Sequence, residues 1–175
     1  MMRSVFLALI VLPSLALAVQ AQDGPVDDVT YDDALLMSCL TSNQESDLSV
    51  CIGSASGACM EASEVGGTTM GMSLCLANEV DQWDGLLNAV YQKLMAAEKA
   101  ADAEMVEIGV DGPKMAEALK AMQRAWIAYR DASCDYEVSQ WGNGTGAGPA
   151  YQSCMMDMTA RQALDLISRL ESKDI

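Results

Sequence analysis

Six cysteines, with no CxxC pair among them, constrain this chain more than any other feature. They are Cys39, Cys51, Cys59, Cys75, Cys134 and Cys154. The first residues give them a context. Arg3 supplies a lone positive charge, Val5 to Ala18 form an apolar run interrupted by Pro13, and small residues permit cleavage after Ala18 or Ala21. That pattern predicts a secretory signal peptide over residues 1–21, too short and wrongly flanked for a membrane span. In an exported chain, six cysteines read as a disulfide framework rather than a zinc ribbon or a thioredoxin-like motif. No cysteine lies near the cleavage site, so no lipid anchor is expected, and nothing later in the chain is apolar enough to span a bilayer.

Of the 175 residues, 51% are apolar, which suits one compact domain and excludes a disordered segment. There is no histidine. Ser-His-Asp and Cys-His catalysis, His-based metal sites and a His proton shuttle are thereby excluded. Neither a cofactor nor a metal is expected. The net charge of −15 becomes −16 once Arg3 leaves with the signal. No Lys or Arg falls between Arg3 and Lys93, whereas twelve acids do, from Asp23 to Asp84. A front half of that sign repels nucleic acid and anionic lipid and attracts cationic partners.

The rest of the sequence is periodic at helical spacing. After a leader at 22–29, Thr30 and Asp33 form a capping-box pattern that predicts a helix over 31–42. Ser46 or Asp47 caps a second over 48–62, which Gly66-Gly67-Thr68-Thr69 breaks. A third spans 71–107, with Val80, Trp83, Leu87, Val90, Tyr91 and Leu94 along its apolar stripe. Pro113 suits the first turn of a fourth, whose stripe reads Met115, Leu119, Met122, Trp126, Tyr129, Ser133 and Tyr136. Trp141 to Ala150 reads as a Gly-rich loop. A fifth helix covers 151–171, with Met155, Met158, Ala163, Leu166 and Leu170 inward. Strand signals are absent. The expectation is an all-α, five-helix, disulfide-stapled bundle, 30–175 forming one domain in which 30–74 is an acidic, Cys-rich helical hairpin. Its core is Met, Leu and Ala around Trp83, Trp126 and several tyrosines.

Cys39 and Cys51 bracket the first helix–helix loop, Cys59 and Cys75 the second, and Cys134 and Cys154 the Gly-rich one, so sequential pairing is favoured, with each bond stapling one hairpin. The bond between Cys134 and Cys154 is the best determined. Among the first four cysteines, 39–59 with 51–75 stays open, as does 39–75 with 51–59 if the second helix breaks at Gly53 or Gly57.

Glu79, Asp81 and Asp84 cluster on the third helix, but Glu79 and Asp81 lie about 200° apart at 100° per residue. They read as a solvated face rather than a general acid–base pair or a calcium loop. Bases are scarce, which draws attention to Arg124, Arg130 and Arg161. Arg130 is expected to meet Asp84 at a helix boundary, with Asn88 and Gln123 completing the hydrogen bonds. Asn143-Gly144-Thr145 matches a glycosylation sequon but reads as turn chemistry.

Cys75, Glu79, Trp83, Asp84, Leu87, Asn88, Tyr91 and Leu94, then Gln123, Trp126, Ile127, Tyr129, Arg130, Asp131, Ala132 and Cys134, then Cys154, Thr159 and Arg161, together form a pattern. It resembles the lysozyme-inhibitor LprI-type domain of bacterial exported proteins, over about residues 75–170. The resemblance implies a helical, disulfide-stapled envelope protein that is not an enzyme. It also implies a protein partner, a lysozyme. Two features depart from the pattern: a mycobacterial inhibitor of this type is a lipoprotein whereas this chain has no lipid-attachment cysteine, and 30–74 lies outside the shared motif. A −16 domain would be steered to a basic lysozyme. Trp83, Leu87, Tyr91, Trp126 and Tyr129 are expected to be scaffold. Contacts are expected on exposed loops at 63–70 and 141–150, with Glu64, Thr68, Asn143 and Thr145 as contact residues. The compartment expected is the periplasm or the exterior. The rival reading is an envelope structural or stress-related interaction module; a carboxylate enzyme acting on cell wall comes last.

Overall fold

A computed structural model describes residues 29–44 and 46–173; the expected signal peptide, most of the leader and four of the early acids lie outside them. Among the described residues there are five α-helices and no strand. They are α1 (Ala34–Ser42), α2 (Ser54–Ala62), α3 (Thr69–Glu107), α4 (Met115–Ser139) and α5 (Ala147–Glu171). The all-α, five-helix expectation holds.

α3 is the spine. Its 39 residues reach about 58 Å at 1.5 Å per residue. It starts where Thr68 caps it, the hydroxyl accepting from the Gly71 amide at 2.9 Å. A Cβ at Gly71 would run into the Val65 carbonyl, so only glycine lets the preceding turn fold back against the helix. α5 lies along α3 in the most extensive contact of the molecule, α4 closes against both, and α1 and α2 pack at the N-terminal end. The core runs through Leu36, Leu40, Leu76, Trp83, Leu87, Val90, Leu94, Leu119, Met156, Ala160, Ala163 and Leu166.

Several local expectations need correction. The first helix starts at Ala34 rather than residue 31; Thr30 caps nothing and instead donates its amide to Ser63 Oγ, at 2.8 Å. The second helix is broken. Asp47 does cap, accepting from the Ser49 amide at 2.9 Å, but it starts a single 3-10 turn over Leu48–Cys51. The chain then turns through Gly53 at φ +83°, a conformation that disfavours any side chain, and α2 begins afresh at Ser54. α4 begins at Met115, so Pro113 precedes it, and α5 begins at Ala147, which draws Gly148, Pro149 and Ala150 out of the expected loop.

The stripe on α4 is also turned. Its buried residues are Ala116, Leu119, Gln123 and Cys134, whereas Tyr129 and Tyr136 are 66% and 68% exposed. A seven-residue repeat drifts about 20° per heptad around a 3.6-residue helix, and by Tyr129 it has left the core. α5 shows a smaller offset, burying Met156 and Thr159 rather than Met155 and Met158. Of the tyrosines, Tyr31 and Tyr91 pack against the core, together with Trp126.

The three disulfides are sequential: Cys39–Cys51, Cys59–Cys75 and Cys134–Cys154, with Cα–Cα distances of 5.7, 5.6 and 5.5 Å. The break at Gly53 that the 51–59 alternative required is present, yet Cys51 turns to α1 and Cys59 to α3. Loops of this length contribute about 3 kcal/mol each on a chain-entropy estimate. No described helix is long and apolar enough to cross a membrane.

Candidate functional site: a buried polar seam and an acidic front

Glu79 is not on a solvated face. It sits in the same buried register as Leu76 and Trp83 and is fully inaccessible. Its Oε1 accepts from the Gly53 amide at 2.7 Å and from Trp83 Nε1 at 3.0 Å, and its Oε2 accepts from the Ser56 amide at 2.7 Å. Gly53 is the N-cap of α2 and has no side chain to meet the orphan amides of the first turn. A carboxylate from α3 therefore takes over the reciprocal capping that a helix usually supplies to itself, and it places negative charge at the positive end of the α2 dipole. The break at Gly53 exists in concert with this. A continuous helix over 48–62 would present no free amides to Glu79. Asp81 is exposed, so the two acids share no site.

The second polar group lies between α3, α4 and α5. The Arg130 side chain is only 14% exposed. Nε and Nη2 both donate to Asp131 Oδ1, at 3.0 and 2.9 Å, and Nη1 donates to the buried Thr159 Oγ1 at 3.3 Å. The guanidinium lies 5.0 Å from the centre of the Trp126 ring, a cation–π distance. Asp84 stands 4.0 Å from Nη1 and accepts from Asn88 Nδ2 at 2.8 Å. The expected meeting of Arg130 with Asp84 thus occurs, but as the longer of two ion pairs. Gln123 does not join it; its Oε1 accepts from Gln162 Nε2 at 3.0 Å, a separate tie between α4 and α5. Arg161 is 64% exposed and pairs with Asp157 one turn away, outside the seam. That bond holds its pKa above the usual arginine value. Leu87 is buried and Tyr91 half-buried, as a scaffold role requires.

Every Glu79 oxygen is taken by an N–H donor, and Arg130 braces three helices. What they do is hold α2 to α3, and α4 to α5, at fixed positions.

The surface carries the charge. Thr30 is tied to Ser63, the Tyr31 hydroxyl donates to Gln82 Oε1 at 2.7 Å, and Gln82 Nε2 donates to the Asp33 carbonyl at 2.8 Å. The strap 30–33 therefore crosses from the end of α2 to Gln82, about a third of the way along α3. It sets the exposed Asp32 and Asp33 between two stretches that carry exposed acids, Glu61 and Glu64 either side of Ser63 and Asp81 next to Gln82. Burial, with Glu79 and Asp33 nearby, pushes the Tyr31 pKa up, so the phenol stays neutral as a donor.

Of the expected contact residues, Glu64, Thr68, Asn143 and Thr145 are all exposed. Thr68 is engaged as the α3 cap and also donates to the Val65 carbonyl, at 2.7 Å. Asn143 lies in a turn that the Gly144 amide closes on the Trp141 carbonyl at 2.9 Å, and Thr145 in the next, which the Ala147 amide closes on the Gly144 carbonyl at 3.2 Å. Tyr129, expected as scaffold, is on the surface. The register of Glu79 between Leu76 and Trp83 was the signal that sequence reasoning passed over.

Comparison with known proteins adds the family. Residues 59–166, more than half of the chain, match the model described as lysozyme inhibitor LprI. An uncharacterised protein of Rhizobium meliloti (strain 1021) is 30% identical over 105 residues, covering 60% of this chain and 76% of its own length. An uncharacterised 17.7 kDa protein from the puhA 5′ region of Rhodobacter capsulatus is 26% identical over 124 residues, covering 70% of this chain and 76% of its own. No solved structure matches. The match takes in α3, α4, nearly all of α5 and both disulfides that join them to their neighbours, so this chain belongs to the lysozyme inhibitor LprI family.

Proposed function

We propose that this is an exported, non-enzymatic binding protein that inhibits a basic glycan hydrolase of the lysozyme type by occluding it. Family membership carries the proposal. Two features of the molecule support it. The strap 30–33 sets exposed carboxylates between stretches that carry others, and the sequence has no base between Arg3 and Lys93. The helices behind that surface are braced by disulfides and buried polar bonds, so little ordering is needed on docking. The contact surface comprises the 63–70 turn, with Glu64 and Thr68, and the turns after α4, with Asn143 and Thr145. Three disulfides suit the periplasm or the exterior.

Against the carboxylate-enzyme reading stands the burial of Glu79, the acid it would pair with Asp81 or Asp84. The test is a lytic assay of several lysozyme classes with and without the purified oxidised protein. Inhibition should appear for a basic lysozyme and weaken between low and moderate ionic strength. Glu61→Lys with Glu64→Lys should weaken it further while leaving helicity intact. Absence of inhibition at every salt concentration would refute the proposal and leave an interaction module with another partner.

A further inference from the structure

The outward face of α4 breaks the usual rule for a surface helix, which turns its charges to water. At 100° per residue, Ala121, Ala125, Ala128, Tyr129, Ala132 and Tyr136 fall within an arc of about 100° on the side opposite Leu119 and Gln123. All six are exposed, the two tyrosines by 66% and 68%. α4 packs against α3 and α5 on its other side only. The face carries no charge from Ala118 to Ser139; the charges stand along one flank of it, Lys120 and Arg124 in the first half and Asp131 and Asp135 in the second.

We propose that this face is the seat of an antiparallel homodimer, α4 against α4 of a second copy. In an antiparallel pair each flank meets the same flank of its partner. A two-fold axis between Ile127 and Ala128 sets Lys120 of one copy level with Asp135 of the other, and Arg124 level with Asp131, each pairing occurring twice. A parallel pair would put the two charged flanks on opposite sides of the seam, so that neither pairing could form. The charge order therefore selects the second copy and its direction together. Alanines along the seam allow close approach of the helices, and the tyrosines supply apolar area with their hydroxyls left at the rim. Net charge does not forbid the contact. Lys114 to Ser139 holds four bases and four acids, so two strongly acidic chains meet where each is locally neutral.

Sedimentation velocity of the oxidised protein over about 1–100 µM tests this. The chain should pass from monomer to dimer in that range. Lys120→Glu or Asp135→Lys alone should weaken the dimer about tenfold, because each replaces two attractive contacts by two repulsive ones. The double variant K120E/D135K should restore it, and so should an equimolar mixture of the two single variants. Ala128→Arg, at the axis, should abolish it with helicity unchanged. A monomer at every concentration overturns the proposal. So do single variants that dimerise like the parent, or a double variant that stays monomeric.

Discussion

The sharpest consequence of the structure concerns Glu79→Gln. The substitution keeps size and shape and retains one oxygen, enough for Gly53 and Trp83. The new amide NH2 then faces the Ser56 amide, donor against donor, at a position with no water access. Losing a charge-assisted bond and orphaning one buried donor costs about 2–3 kcal/mol. With a urea dependence of about 1–3 kcal/mol per molar, the unfolding midpoint should fall by about 1–2 M. Glu79→Ala orphans all three donors and leaves a cavity, for about 4 kcal/mol. Glu79→Leu should be no better. Replacing a buried ion pair by apolar groups removes both partners, but here two of the three partners are main-chain amides that no substitution removes. Urea titrations followed by circular dichroism measure all three, and hydrogen exchange at the Ser56 amide reports whether α2 detaches first. A Glu79→Gln protein within about 0.5 kcal/mol of the parent would refute the assignment of Glu79 as the cap of α2.

Two further outcomes follow from elements described above. Asp102 on α3 accepts from the first amides of α4, Met115 at 2.8 Å and Ala116 at 3.0 Å, and these bonds hold its carboxyl below the usual range. A depressed folded-state pKa contributes stability above the unfolded value and loses it as pH falls through and below that value. Asp102→Asn should therefore lower the thermal midpoint near about pH 7 yet leave it close to the parent near about pH 2; an equal drop at both would exclude the ionic contribution. Replacing Cys134 and Cys154 together by serine should cost about 3 kcal/mol in chemical denaturation, with the native helical content retained.

Much of the fold was legible because the long helices obey spacings of three and four and because bonded cysteines bracket three of the four helix–helix connections. Beyond the drift of the α4 stripe, much of what was not legible comes from polar side chains that take buried positions only once a distant segment supplies partners. Glu79 lies three residues after Leu76 and four before Trp83, in the buried register, but a carboxylate there makes sense only with the free amides at the start of α2. Those amides depend on a glycine break that local propensity tolerates without demanding. Gln123 likewise finds Gln162 from another helix, whereas reading α4 in heptads placed Met122 in its stead. Arg130 was placed at a helix boundary correctly, but its nearest acid is Asp131, the next residue, with which helical spacing rules do not pair it. The acidic front was visible as composition; the strap that links its stretches was not, since Thr30 reaches Ser63 across 33 positions.

The order of the cross-links has a bearing on how the protein matures. Every bond joins a cysteine to the next one along the chain. As a polypeptide emerges N-terminus first, Cys51 finds a single unpaired thiol ahead of it, Cys75 finds a single one again, and so does Cys154. An oxidant that acts on each thiol pair as it appears will write the native set on the first pass, with no isomerase needed to correct it.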